Sequence, residues 1–202
     1  MIRHYFVVRP KTILSGLMLF SLMLGAQMQT VWAAPKAELW ARWAEHDQSS
    51  EQVIDHAIWA RWLDKYVKPM PDGINRLDYG KVSAADKATL KKYIAQLADT
   101  AISRYNRDQQ QAFWINLYNA LTVDAILDHY PVKSIREIRS GIFSAGPWGL
   151  ELVTVEGEAL TLDDIEHRIL RPIWQDPRVH YAVNCASLGC PNLQPAAFTA
   201  AN

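Results

Sequence analysis

The sequence predicts an α+β fold: a single, predominantly helical domain with a small sheet, preceded by a signal peptide. Three observations carry this. Apolar residues recur at helical spacing over several long stretches. A few short runs, Glu151–Val155 clearest among them, alternate as strands do. The N-terminus joins basic residues to an apolar run of signal-peptide length.

Arg3, Arg9 and Lys11 precede the apolar run Ile13–Ala26, and no acidic residue occurs before Glu38. The run is too short to span a bilayer comfortably. Val31 and Ala33 suit the −3 and −1 positions of a cleavage site, and cutting after Ala34 would leave Pro35 behind the scissile bond. Residues 1–33 are therefore expected to be a cleaved signal peptide. The mature chain would be periplasmic or secreted, with no stable membrane insertion. The whole chain carries 21 basic and 21 acidic residues. Loss of the leader leaves 18 against 21, a net charge of −3 with no basic stripe. Nucleic acid and anionic membranes are thus poor partners.

In the mature chain, residues 39–46 read as a short helix and 53–67 as another, with Ile54, Ile58, Trp62 and Tyr66 along one stripe. Trp-Ala-Arg-Trp occurs at 40–43 and again at 59–62, which fits two amphipathic segments docking on one core. Pro69, Pro71 and Gly73 break the pattern, and 76–79 reads as a short extended piece. Ser83–Asp86 is a capping box opening a helix to about Asp99. The strongest helix runs from Gln109 to about His129, ahead of Pro131, with Phe113, Leu117, Leu121 and Ile126 inward. Residues 134–139 suggest a helical turn, 141–149 a glycine-rich loop, and Glu156–Glu158 a turn after the 151–155 strand. Thr161–Asp164 caps a helix through Leu170. Val179–Val183 reads as a last strand, and Pro195–Phe198 as a helix start.

That last strand leads into the segment richest in chemistry. His180, Asn184, Cys185 and Cys190 fall within eleven residues, and the two cysteines are the only ones in the chain. Cys185 is a candidate nucleophile if a base lowers its pKa. On a continuous strand His180 and Cys185 would face opposite ways. His167, with Glu166 or Asn184 to orient it, is the better-placed base. A disulfide is the competing reading, since an exported chain matures in an oxidising compartment. His167, His180, Glu166, Cys185 and Cys190 also carry zinc-ligand atoms, but no His-Glu-x-x-His pattern or second cysteine pair accompanies them. No metal and no cofactor is expected. Asn116 and Asn119 share a face of an apolar helix. They read as a clamp on neighbouring loop backbone, or, more sharply, as amides lining a pocket. Trp148 reads as a core plug.

Four motifs in order, Ala112–Leu121, Pro131–Ile135, Asp164–Arg171 and Arg178–Pro191, resemble the DUF547 family, a domain of uncharacterised function. Bacterial members look exported, and plant members carry the domain behind a coiled coil. Members normally continue past the Cys-Pro motif, so the resemblance implies a domain over 34–202 that is incomplete at its C-terminal end. Two functions from different classes remain. One is a thiol-dependent hydrolase or acyl transferase acting on amide or ester bonds of a small molecule or peptide. Its catalytic set would come from Cys185, His167, His180, Asn184, Asn116 and Glu166, an arrangement similar to papain-like and transglutaminase-like sites. The other is a non-catalytic domain that binds a cell-envelope protein partner and carries a structural disulfide.

Overall fold

The computed structural model describes residues 36–139, 146–187 and 189–202. The expected signal peptide and residues 141–145 of the glycine-rich loop lie outside them. The architecture is α+β, with two separate two-stranded antiparallel sheets and about half of the described residues in helix.

Helix α1 (Ala57–Tyr66) starts later than the sequence pattern indicates. The Asp55 carboxylate accepts from the Ala57 amide at 2.7 Å and turns the chain before the helix, leaving Ile54 as a buried residue outside it. The chain then enters β1 (Val67–Pro69), which pairs with β2 (Asn75–Leu77), Val67 opposite Leu77. Helix α2 (Ala84–Ala98) begins at the expected cap, the Ser83 hydroxyl accepting from the Asp86 amide at 3.1 Å. Helix α3 (Arg107–His129) is capped by Asn106, whose side chain accepts from the Gln109 amide at 3.0 Å. Phe113, Leu117, Leu121 and Ile126 are buried as expected, and so is most of the rest of its surface. It is the central helix, covered on nearly all sides.

Strands β3 (Val153–Val155) and β4 (Glu158–Leu160) form a hairpin, Val153 opposite Leu160. Glu156 and Gly157 both have positive φ, 46° and 85°, the turn geometry that matches strand twist. Residues 39–46 supply one 3-10 turn, Ala41–Ala44, rather than a longer helix. Both Trp-Ala-Arg-Trp copies nonetheless dock on the same core: Trp43 lies edge-on to Trp114 at 5.0 Å, and Trp59 stacks on Trp62 at 5.4 Å. Trp148 packs against that core and also against the smaller cluster of Ile126, Ile135 and Ile138. Gly146 makes this possible. Its φ is +93°, and a Cβ there would fall inside the Trp148 indole.

Three expectations need correction. The Thr161–Asp164 cap forms, with mutual bonds of 3.1 and 3.0 Å, but the helix does not stop at Leu170. It runs as a π-helical segment, Asp164–Leu170, directly into α4 (Arg171–Trp174). Pro172 is accepted there because the carbonyls one turn back, of His167 and Arg168, take their hydrogen bonds from the Glu38 and Trp40 amides instead, at 3.0 Å each. Second, Val179–Val183 is not a strand. Val179–Ala182 is a helical turn, α5. Asp176 accepts from the Arg178 amide at 2.8 Å, and Pro177 sets the backbone for helix entry, so turn chemistry overrides the β-branched residues. Third, Pro195–Phe198 forms no helix, because the Phe198 backbone is bonded to a side chain of α3 instead.

His56 illustrates the cost of the dense core. It is 6% exposed, with Nδ1 2.7 Å from the Tyr93 hydroxyl, and its Nε2 has no partner among the described residues. Burial pushes its pKa down to about 4, against a small opposing pull from Asp55. The folded state therefore refuses a proton that the unfolded chain accepts below about pH 6.5. Stability should fall as pH drops from there towards 4, with His56 contributing ~3 kcal/mol of the loss. Urea unfolding of wild type and His56→Gln at about pH 7 and about pH 4.5 checks this, the variant losing distinctly less between the two.

Candidate functional site

The segment after α5 has little secondary structure, yet it is held firmly. Asn119, on α3, donates from Nδ2 to the Ala182 carbonyl (2.9 Å) and accepts from the Asn184 amide (2.8 Å). Asn116, one turn earlier, donates to the Phe198 carbonyl (2.8 Å) and accepts from the Phe198 amide (3.0 Å). Each primary amide thus replaces one rung of a β-ladder. Both side chains are almost wholly buried, 0% and 2% exposed, as such a pairing requires. The clamp reading of the two asparagines holds, and the Asn119 half grips the backbone just before Cys185.

Two more asparagines continue the pattern. Asn184 donates to the Pro191 carbonyl (2.6 Å) and accepts from the Ala186 amide (3.0 Å), closing the loop across its base. Asn192 accepts from the Asn75 amide (2.9 Å) and donates to the Gly73 carbonyl (2.8 Å), while Asn75 donates to the Leu193 carbonyl (2.8 Å). Asn75 and Asn192 were not singled out from the sequence. The signal that would have found them is weak: an asparagine beside a turn, next to a proline or glycine.

Inside this frame Cys185 and Cys190 form a disulfide, with Cα atoms 6.0 Å apart. The Ser187 hydroxyl sits 3.5 Å from one sulfur and 3.4 Å from the other. Ala186 adopts φ +54° and packs against the Ile126, Ile135 and Ile138 cluster. No histidine nitrogen hydrogen-bonds either sulfur among the described residues.

The imidazoles belong to a second group. Glu166 accepts from Arg171 Nε at 3.0 Å and also from its Nη2, and Arg171 in turn lies 3.3 Å from His180 Nδ1. His167 Nε2 stands 3.9 Å from Glu166 and 4.0 Å from Asp163. The His167 ring is buried, and loss of hydration holds its pKa below the ordinary value despite the two carboxylates. The same desolvation raises Asp163, and burial, then the Glu166 charge, raises the Tyr118 phenol well above its usual range. This is a neutral-imidazole, acid–arginine network of the sort that supports proton transfer or rigid positioning.

The six residues singled out from the sequence thus fall into three places: Glu166, His167 and His180 around Arg171; Asn184 and Cys185 in the disulfide loop; and Asn116 beneath Phe198. Among the described residues no cluster of three or more histidine, cysteine, aspartate or glutamate side chains is arranged to hold a metal ion. A cleft of about 520 Å³ opens elsewhere, between the start of α3, α5 and residues 194–202. None of the six lines it. Sequence reasoning missed it because its walls come from three distant segments.

The profile of a family described as "Protein of unknown function, DUF547" matches residues 102–202. The chain belongs to this family. The matched half of this DUF547 chain contains α3, both asparagine clamps, the arginine-centred network and the disulfide loop. No curated protein and no solved structure matches the chain.

Replacing Asn119 by alanine leaves the Ala182 carbonyl and the Asn184 amide without partners. The expected cost is ~2–4 kcal/mol of unfolding free energy. Denaturant titration reads it. Reduction of the disulfide by dithiothreitol should also become faster in the variant, because the loop loses its anchor.

Proposed function

We propose that this DUF547 domain is an exported, non-catalytic binding domain of the cell envelope, with Cys185–Cys190 as its structural disulfide. The bonded cysteine pair is the single observation that carries the reading. A sulfur held in a disulfide is not a nucleophile. The two groups that could steady an oxyanion, the Asn116 side-chain amide and the Asn184 backbone amide, are engaged, the first with the Phe198 carbonyl and the second with Asn119 Oδ1. The bond closes a short loop and adds about 2 kcal/mol by restricting the unfolded chain. That suits a segment whose other restraints are side-chain hydrogen bonds.

Export follows from the same chemistry. Disulfides persist in oxidising compartments, and the basic, apolar leader over residues 1–33 would deliver the chain to one. The mature domain then spans 34–202, in the periplasm or outside the cell, and its partner is an envelope component. The thiol hydrolase or acyl transferase reading needs a reduced Cys185 with His167 or His180 brought to it. His180 instead lies against Arg171 at 3.3 Å, and the buried His167 ring stands beside Glu166 at 3.9 Å.

Titration of the purified, unreduced protein with a thiol reagent should find no reactive cysteine in the native or the urea-unfolded state, and two after reduction. A native thiol that reacts rapidly near neutral pH overturns the binding reading in favour of the enzyme. The intact mass of protein recovered from the periplasm or medium should correspond to a chain starting at Ala34. Retention of Met1 in a cytosolic fraction would contradict export.

A further inference from the structure

We infer that Asp163, Glu166 and His167 form a recognition site for a primary ammonium group, such as a lysine side chain or a peptide N-terminus carries. The inference rests on the binding-domain reading and supplies the ligand class.

The three side chains converge from the start of the π-helical segment. His167 Nε2 lies 4.0 Å from Asp163 Oδ1 and 3.9 Å from Glu166 Oε2. These gaps are too long for direct hydrogen bonds. His167 is only 6% exposed, yet among the described residues neither of its ring nitrogens has a hydrogen-bond partner. Asp163 is equally unengaged. It stands at the cap position of the helix but makes no cap bond, because Thr161 and Asp164 perform that role. Asp164 is also bonded to Arg168 at 2.8 Å, whereas among the described residues no lysine or arginine pairs with Asp163. Glu166 divides its two oxygens. Oε1 takes both bonds from Arg171, and Oε2 faces His167. A buried imidazole between two carboxylate oxygens, with no hydrogen bond among the three, lacks a donor at its centre.

Spacing and charge select the donor. A nitrogen about 2.9 Å from each of two acceptors bridges a gap of this width. A zinc ion draws its ligands closer, to about 3.4 Å from one another in a tetrahedral site, and among the described residues no cluster is arranged to hold a metal. Three acceptors around one point match the three N–H donors of an ammonium group. His167 can accept because burial keeps its ring neutral. Charge balances as well. Arg171 offsets Glu166, so Asp163 is the uncompensated carboxylate of the three, and one monovalent cation neutralises it. Burial raises the Asp163 carboxyl above its ordinary range, a penalty that an ammonium would relieve. The Asp163 side chain is 39% exposed, so the group meets solvent on that side, with Glu166 and His167 beneath it.

The experiment titrates the oxidised protein at about pH 7, where both amines are protonated, with Nα-acetyl-lysinamide and with alanyl-alaninamide. Neither probe carries a carboxylate, and each presents its ammonium on a different stem. At least one should bind saturably and shift the His167 ring signals in NMR spectra, and the tighter of the two names the source. Tetramethylammonium, with the same charge and no N–H, should not compete. Asp163→Asn should weaken binding ~10-fold or more, about 1.4 kcal/mol, with unchanged thermal unfolding. Asp64→Asn, which removes an exposed carboxylate of α1, should leave it unchanged. No saturable shift at His167 with either amine overturns the assignment. So does equal competition by tetramethylammonium or potassium, or equal weakening by Asp163→Asn and Asp64→Asn, since each marks diffuse attraction to an acidic surface. The binding-domain reading would survive those results. A rapidly reacting native thiol would sink that reading while leaving the amine titration to stand or fall by itself.

Discussion

Everything after α5 depends on two asparagine side chains one helical turn apart. Among the described residues, 183–202 has no regular helix or strand to satisfy its backbone. A buried peptide group left unpaired costs about as much as a lost hydrogen bond. Asn116 and Asn119 remove that cost by pairing with the chain in two-point fashion, as a neighbouring strand would. Asparagine is the right size for this. Its amide carries one donor face and one acceptor face on a short stem, so it reproduces a peptide group at the helix surface. The same residues are poor helix formers, and α3 carries them because its apolar faces are buried almost everywhere else.

The disulfide and the arginine-centred network both follow from this anchoring. Asn119 fixes where α5 ends, and Asn184 closes the loop that brings Cys185 and Cys190 within bonding reach. His180, one residue before Tyr181 on the same turn, is thereby set against Arg171, which already holds Glu166. Neighbouring residues of one short helix thus face two different environments. His180 meets the charged network and Tyr181 lines the open cleft. The polar residues that look catalytic in the sequence act mainly on structure, and the open surface carries groups that look ordinary.

Much of this was legible in advance. The α+β class, the Ser83 and Thr161 capping boxes, the buried stripe of α3, the Glu156–Gly157 turn and the role of the paired tryptophans all rest on local rules, which the structure obeys. The clamp was readable from Asn116 and Asn119 because a primary amide buried on an apolar helix must find a donor and an acceptor, and loop backbone supplies both. The run Val179–Val183 was not readable. Its apolar, β-branched residues fit a strand, and only the Asp176-Pro177 start, a weak signal beside them, marked a helical turn. The bonding partners of the candidate site residues were not readable either, because local preferences do not say which neighbour a polar side chain will meet. Cys185 and His180 are five residues apart, yet one bonds a sulfur and the other an arginine.

By itself the sequence determined much of the local structure: the long helices α2 and α3, the capping boxes at Ser83 and Thr161, which residues are too apolar to stay in water, and that two cysteines close in sequence suit a disulfide. It did so because capping, periodicity and short loop closure act over a few residues. Tertiary structure decided the partners of each polar side chain: that Asn116 meets Phe198, that Glu166 and His180 share one arginine, and that α3, α5 and the last residues enclose a cleft. Such pairings depend on the packing of segments as far as 119 residues apart, and a chain's local preferences carry no record of which distant surface it will meet.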